Sequence, residues 1–495
     1  MTPADPAILE ESVDEAVSEF PRQLTWRDGF VISLVIPVAI FVTLGPTIGL
    51  LGGWATAALF GVVAIVGILQ NFIFAEMAAM FPNKPGGIVL YAHEGWRRYF
   101  APVGAIAAIG YWASWALANS IFALTCGQLI SAQFFSGATW AVSTGGTDVG
   151  LAHFIGLACL IGVWSLNVNG IRPTVNLNKV LAVFAVGLMA LLAVGPFVTG
   201  DFSFSNLNWN LGQDGQAWGG MRLALVFLFI MGWTAYATEI CATFAPEYQH
   251  QRRDTMKALK AAGAFTLLAA VLMPIGLGGT LGDAAIAADP GAIYASAFEQ
   301  IIGPAAGVVT IVICLGILLV MNSCTAGAGR ALYGIARDDL TIKQLYHLNA
   351  KGIPSRAMTA DLAINVIVLF FVGNVLSIIF ASNVGYFVAI VFALTGFLLL
   401  RRDRPDWPRP IRLRRLWLPI AGLLALYNLV LLVVGFLHPA EGGYGGTEEQ
   451  VIALSILLSA LVLFIYRRLV QDRTSLRLRE GVEALPEVGL PNRPA

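Results

Sequence analysis

Charge is what this chain has least of: 12% of its 495 residues are Asp, Glu, Lys or Arg, against roughly 25% in an ordinary soluble domain. With 57% hydrophobic residues beside it, so thin a polar coat cannot cover a water-facing surface, and a conventional soluble fold is excluded. Cysteine is also sparse. All five, Cys126, Cys159, Cys241, Cys314 and Cys324, fall inside apolar stretches, which excludes a disulfide framework and leaves them as small, soft packing residues. The N-x-S/T sequon is missing, as are the H-E-x-x-H, G-x-S-x-G and G-x-x-x-x-G-K-[ST] patterns of common catalytic and phosphate-binding sites. His93-Glu94 lacks a second histidine at helical spacing. These absences exclude the familiar classes of membrane enzyme, and no metal or cofactor site is expected.

What is present is a series of apolar stretches near or above the ~20 residues that cross a bilayer. Twelve are counted, at 29–52, 54–81, 103–135, 150–168, 177–199, 218–248, 258–281, 304–334, 358–380, 384–400, 414–437 and 449–467. The first 28 residues are polar and acidic, with Glu10, Glu11, Asp14, Glu15 and Glu19, a composition unlike a cleavable signal peptide. Placing that end in the cytosol puts all of the 30 Lys and Arg except Arg222 in cytosolic loops, tails or helix ends. Such an asymmetry is the positive-inside pattern, and with twelve spans it brings both termini to the cytosol. A bacterial plasma membrane is the expected location.

The first span carries Pro37, Gly45, Pro46 and Gly49, and the sixth runs long through Ala237, Thr238 and Pro246. Proline removes a backbone donor, and in hydrocarbon the freed groups need partners in protein or in a wet cavity. Interrupted segments at matching places in two halves of a transporter mark a binding site near the midplane.

IFVTLGPTIGLLGGW, FAEMAAMFPNKPGGIVLYAHEGW, YATEICATFAPEYQHQRRDTMKAL, GRALYGIARDDL, GIPSRA and RRDRPDWPRPIR follow one another in the order and topology of the amino acid, polyamine and organocation (APC) transporters, which the chain resembles over about residues 25–435. The resemblance implies an all-α membrane protein of twelve transmembrane helices in the LeuT-like arrangement: two inverted five-helix repeats plus two further helices, with helices 1 and 6 broken. The corresponding division is a cytosolic tail at 1–28, a first repeat at 29–200, a second at 215–401, two helices at 412–470 and a cytosolic tail at 471–495. It implies a secondary active transporter moving an amino acid or related amine by alternating access, ion-coupled or as an exchanger. A polyamine or other organic cation carrier is the alternative, and a sensor or channel is less favoured. Substrate and H+ or Na+ are the expected small partners, with membrane lipid around the chain, no nucleic acid and no defined oligomeric state.

Site residues follow from the same match. Pro37, Val38, Ala39 and Ile40 occupy the place of the family's Gly-small-Gly, whose backbone amides hold a substrate carboxylate. Pro37 has no amide hydrogen, which gives amines and unusual amino acids more weight. Tyr236, Ala237 and Thr238 stand at the sixth-helix break, and Asn119 and Asn322 are placed beside the substrate. Ser323 and Thr325 are candidates for sodium ligation or hydrogen bonding, or simply for bonding their own helix. Trp112 and Trp115 either line the cavity or pack. Glu239, an acid near the middle of the sixth span, is the candidate for proton coupling, with a structural acid at the break as the equal alternative. A lysine frequent in the family's fifth helix aligns near Ala185 and is absent. Glu76, about four residues inside the end of the second span, reads as an ion pair at that end, and Arg252, Arg253 and Asp254 as topology rather than ligand contact.

Overall fold

The computed structural model describes residues 22–481, except 82, 83, 85, 144–147, 214, 237, 289–292, 304, 305, 373 and 374. The chain runs as α1 (Trp26–Ser33), α2 (Val35–Leu51), α3 (Gly53–Met80), α4 (Ile88–Phe100), α5 (Pro102–Ala116), α6 (Ala118–Phe134), a short hairpin of β1 (Ala141–Ser143) and β2 (Asp148–Gly150), α7 (Leu151–Val168), α8 (Ile171–Thr199) and α9 (Met221–Ala235). A 3₁₀ stretch over Thr238–Glu247 follows, and then α10 (Gln251–Leu281), α11 (Asp283–Ala288), α12 (Ile293–Ile302), α13 (Ala306–Arg337), α14 (Ser355–Phe371), α15 (Val375–Asp403), α16 (Trp417–Leu437) and α17 (Thr447–Tyr466). Helix dominates because a backbone in lipid must satisfy its own donors and acceptors.

Ten helical segments among the described residues are long and apolar enough to cross a bilayer, and α1 and α2 together make an eleventh, bent by 45° between Phe41 and Thr43. The remaining stretch of the sequence reading, 358–380, falls on α14, which has 17 residues. The chain is therefore a multi-pass helical membrane protein. Leu268, Val183, Leu423 and Val462 stay exposed on the outside of the bundle, as lipid-facing side chains do, while the core is continuous from α1 to α17.

Small residues set how closely the helices approach. Gly110 of α5 and Gly385 of α15 meet backbone to backbone, and a Cβ on Gly110 would lie 2.7 Å from the Gly385 carbonyl oxygen. Close approach of this kind replaces the hydrophobic drive that lipid does not supply. Gly385→Val is expected to lower thermal stability by about 1–3 kcal/mol through overpacking. An unchanged melting temperature in detergent would show that the crossing can spread at no cost.

The Lys and Arg side chains gather on one face of the bundle. There Glu76 binds Arg401 at 2.5 Å and Arg409 at 3.2 Å and accepts the Leu413 amide at 2.8 Å, as the ion-pair reading anticipated. Glu94 of α4 meets Arg404 at 2.6 Å, Lys84 at 2.9 Å and Arg97 at 3.1 Å. Burial alone would raise the Glu94 pKa, but these cations outweigh it and hold the carboxyl at about 2. A depressed carboxyl stabilises the fold above its ordinary 4.5 and loses that contribution as pH falls toward 2. Arg222, which the sequence sets apart from the other Lys and Arg, is paired with Glu441.

Candidate functional site

The sixth span changes character halfway along. The last regular α-type bond runs from the Tyr236 amide to the Gly232 carbonyl at 2.9 Å, after which the Thr238 amide turns back to the Tyr236 carbonyl at 2.5 Å and the chain tightens to 3₁₀. Groups released by that change are met by side chains from other spans. Ser33 of α1 donates to the Thr238 carbonyl at 3.2 Å, and Asn71 of α3 donates to Thr238 Oγ1 at 2.6 Å, which in turn donates to the Tyr236 carbonyl at 3.0 Å. Ala237 lies outside the described residues.

Glu239 follows directly and is 2% exposed. Its Oε1 accepts the Tyr386 hydroxyl of α15 at 2.9 Å. Tyr111 of α5 stacks on Tyr386 with ring centres 6.1 Å apart, and its own hydroxyl also acts on the Glu239 carboxyl. The groups acting on the Glu239 carboxyl are hydroxyls and backbone, with no Lys or Arg among them. A carboxyl so placed is chemically equipped to hold a proton or to meet an incoming cation, because an ionised form without either is costly in a dry interior.

In the first span Pro37, Val38, Ala39 and Ile40 lie between the α1–α2 junction at Leu34 and a bend further along. Pro37 sits at the third position of α2, within the first turn, where amide hydrogens have no intrahelical acceptor and a missing one costs little. The Val38 amide bonds the Leu34 carbonyl at 3.3 Å, and Val38, Ala39 and Ile40 are helical and buried. The 45° bend falls between Phe41 and Thr43. Pro46 accounts for it: its ring crowds the carbonyl four residues earlier, at position 42. The carbonyl of Phe41 is taken instead by the Tyr294 hydroxyl of α12.

The remaining candidates divide into two groups. Asn119 Nδ2 of α6 donates to Thr325 Oγ1 of α13 at 3.1 Å, so those two are brought together. Asn322 faces elsewhere: it accepts from Asn167 at 2.8 Å and donates to Asn178 Oδ1 at 2.8 Å and the Thr174 carbonyl at 3.0 Å, while Asn178 donates to Ser323 Oγ at 2.8 Å. This asparagine network ties α7, α8 and α13, and its amides are spent on one another. Trp115 is 1% exposed and packs edge-on against Tyr111.

Asp361 of α14 was not singled out in the sequence, although an acid inside an apolar span with Asn365 one turn later is a readable signal. It is 1% exposed, with Trp112 against it and Oδ1 without a hydrogen-bond partner among the described residues. Asn365 accepts the Ser120 amide at 2.8 Å and so fixes α14 against α6. Asp361→Asn keeps the shape and removes the cost of an unpaired charge, so its melting temperature is expected to equal or exceed that of the parent chain. A drop of several degrees would mean that the carboxyl itself is needed.

Below the break, toward the basic face, the chain is closed by a buried ion pair. Arg330 of α13 binds Glu247 at the end of the 3₁₀ stretch, the two side chains being 1% and 2% exposed, and the guanidinium lies 4.7 Å from the Phe244 ring centre. The Gln23 and Leu24 amides both donate to the Glu247 carbonyl at 2.9 Å, which seals the segment before α1 against the sixth span.

A multi-pass helical protein whose interrupted spans enclose buried polar groups, among them an acid with no cationic partner among the described residues, has the build of a membrane transporter rather than an enzyme. Residues 29–462 match the family described as amino acid permease, and the chain belongs to that family. It is 25% identical to the amino-acid permease RocE of Bacillus subtilis over 370 residues, 70% of this chain and 73% of that one. It is 23% identical to the γ-aminobutyric acid permease of Bacillus subtilis over 432 residues, covering 82% and 85% of the two chains. Identity to the branched-chain amino acid permease BcaP of Lactococcus lactis is also 23%, over 404 residues covering 78% and 84%.

Proposed function

We propose that this permease is a secondary active transporter that moves an amino acid or related amine by alternating access. In this reading it has twelve spans, the first ten as two inverted repeats, with both termini in the cytosol of a bacterial plasma membrane. The observation that carries the reading is the sixth-span break, where a buried carboxyl with hydroxyl donors and no cationic partner among the described residues follows an α-to-3₁₀ switch. Glu239 takes and releases a proton during the cycle, or meets the ammonium group of the substrate, and Thr238 and Tyr236 form the wall beside it. Asn119 with Thr325 lines the same region from α6 and α13. The buried Glu247–Arg330 pair fits a state closed toward the basic face, which opens when that pair separates.

On the substrate, two lines of support point away from a strict α-amino acid site. Pro37 offers no amide hydrogen, and the amides of Val38 to Ile40 belong to helical backbone. One of the similar proteins is named for γ-aminobutyrate, whose amine and carboxylate are further apart. A thermal-shift screen of purified protein against α-amino acids, γ-aminobutyrate and polyamines tests this directly. A ligand at 100 times its Kd is expected to stabilise the fold by about 2.7 kcal/mol. A screen in which polyamines stabilise and amino acids do not would replace the proposal by an organic cation carrier.

A further inference from the structure

Arg253, Lys257 and Lys260 of α10 stand four and three residues apart, so they form one stripe on the helix surface. The segment that follows α15 faces them with Pro410, Ile411 and Arg412. Between the two lies an open recess of about 710 Å³, cationic at its rim and floored by Met256, Pro410 and Ile411. The nearby acids are already engaged. Glu76 is held by Arg401 and Arg409, and Asp254 accepts the His250 amide and faces Arg253. Lys257, Lys260 and Arg412 are exposed and pair with no carboxylate among the described residues. Like charges collected round one recess repel one another, and an anion seated there relieves the repulsion.

The recess does not end at the rim. A narrow cleft continues from it between α3 and α10, lined by Ile68, Phe72, Met256 and Leu259, and Lys260 borders both. The Lys260 ammonium lies 5.9 Å from the Phe72 ring centre, at the border between the cationic recess and the apolar cleft. An anion-binding mouth that opens into an apolar cleft on the lipid-facing side has the shape of a phospholipid. We infer that this recess binds the phosphate of an anionic phospholipid, with the first part of an acyl chain in the cleft between α3 and α10. A free phosphate shares the charge but has no use for the cleft. The inner wall of the cleft includes Asn71, the donor to Thr238, so the lipid site stands one side chain from the sixth-span break.

Basic faces of membrane proteins attract anionic lipid in general, so the test must separate a built site from diffuse attraction. The full chain, delipidated in detergent, is titrated with phosphatidylglycerol, phosphatidylcholine, glycerol phosphate and inorganic phosphate while its melting temperature is read. The triple variant Lys257→Gln, Lys260→Gln and Arg412→Gln is compared with Arg473→Gln, Arg477→Gln and Arg479→Gln, which removes the same charge from the exposed C-terminal segment. Phosphatidylglycerol is expected to raise the melting temperature saturably in the parent and the control, with a midpoint at least about tenfold higher in the site variant. The single change Lys260→Gln, at an exposed position, should give an intermediate midpoint and serves if the triple variant is unstable. Equal responses in site and control variants would reduce the effect to diffuse charge, and an equal shift with either soluble phosphate would make it a free-anion site. Both results overturn the inference, as does an equal shift with phosphatidylcholine.

Discussion

Glu239→Gln is expected to leave substrate binding close to that of the parent chain while flattening the pH dependence of uptake and lowering proton-driven uptake at least about tenfold. Glutamine keeps the shape of the side chain and an oxygen that can accept from the Tyr386 hydroxyl, but it cannot titrate. The expectation rests on the absence of a cation beside a carboxyl 2% exposed, which leaves a proton or a substrate ammonium as its counter-charge. Binding and uptake measured across pH for this variant separate the roles. Loss of binding would make Glu239 the counter-charge of an amine substrate. A normal folding yield with an unchanged pH profile would remove it from the mechanism.

The second large effect is expected at the buried ion pair. Arg330→Met leaves Glu247 as a buried carboxylate without its partner, a change that costs about 3–5 kcal/mol where it has been measured in other proteins. The double change Arg330→Met with Glu247→Leu should recover most of that loss, since a well-packed apolar pair is often as stable as the ionic one it replaces. Thermal unfolding of both variants in detergent reads the difference. If the single and double variants melt together, the pair contributes little, and the closed basic face is held instead by the Gln23 and Leu24 amides on the Glu247 carbonyl.

The sequence made some of this visible for definite physical reasons. Glu76 was readable because a carboxyl a turn inside a helix end, on the side rich in Arg, finds a cation by proximity alone. Glu239 was readable because an acid in an apolar span is costly and must be answered. Its partners Tyr386 and Tyr111 were not, since they come from spans far along the chain and a tyrosine in a membrane helix carries no signal of its own. In helix one Pro37 sits in the first turn of α2, where a proline is tolerated, and the bend lies further along, ahead of Pro46. Asn322 and Thr325 lie three residues apart, about 60° short of a full turn. That offset is enough for Asn322 to meet α7 and α8 while Thr325 meets Asn119 of α6. Asn167 and Asn178 passed unremarked because a single polar amide in an apolar run shows no periodicity.

The proposed carrier mechanism for this amino acid permease requires a single site reached alternately from the two sides. Exchange in proteoliposomes tests it most directly, using whichever amino acid or amine the thermal-shift screen selects. Preloading the vesicles with unlabelled substrate is expected to raise the initial rate of labelled uptake, because the loaded site returns faster than the empty one. Uptake that is indifferent to preloading and never saturates would contradict the account and point to a channel.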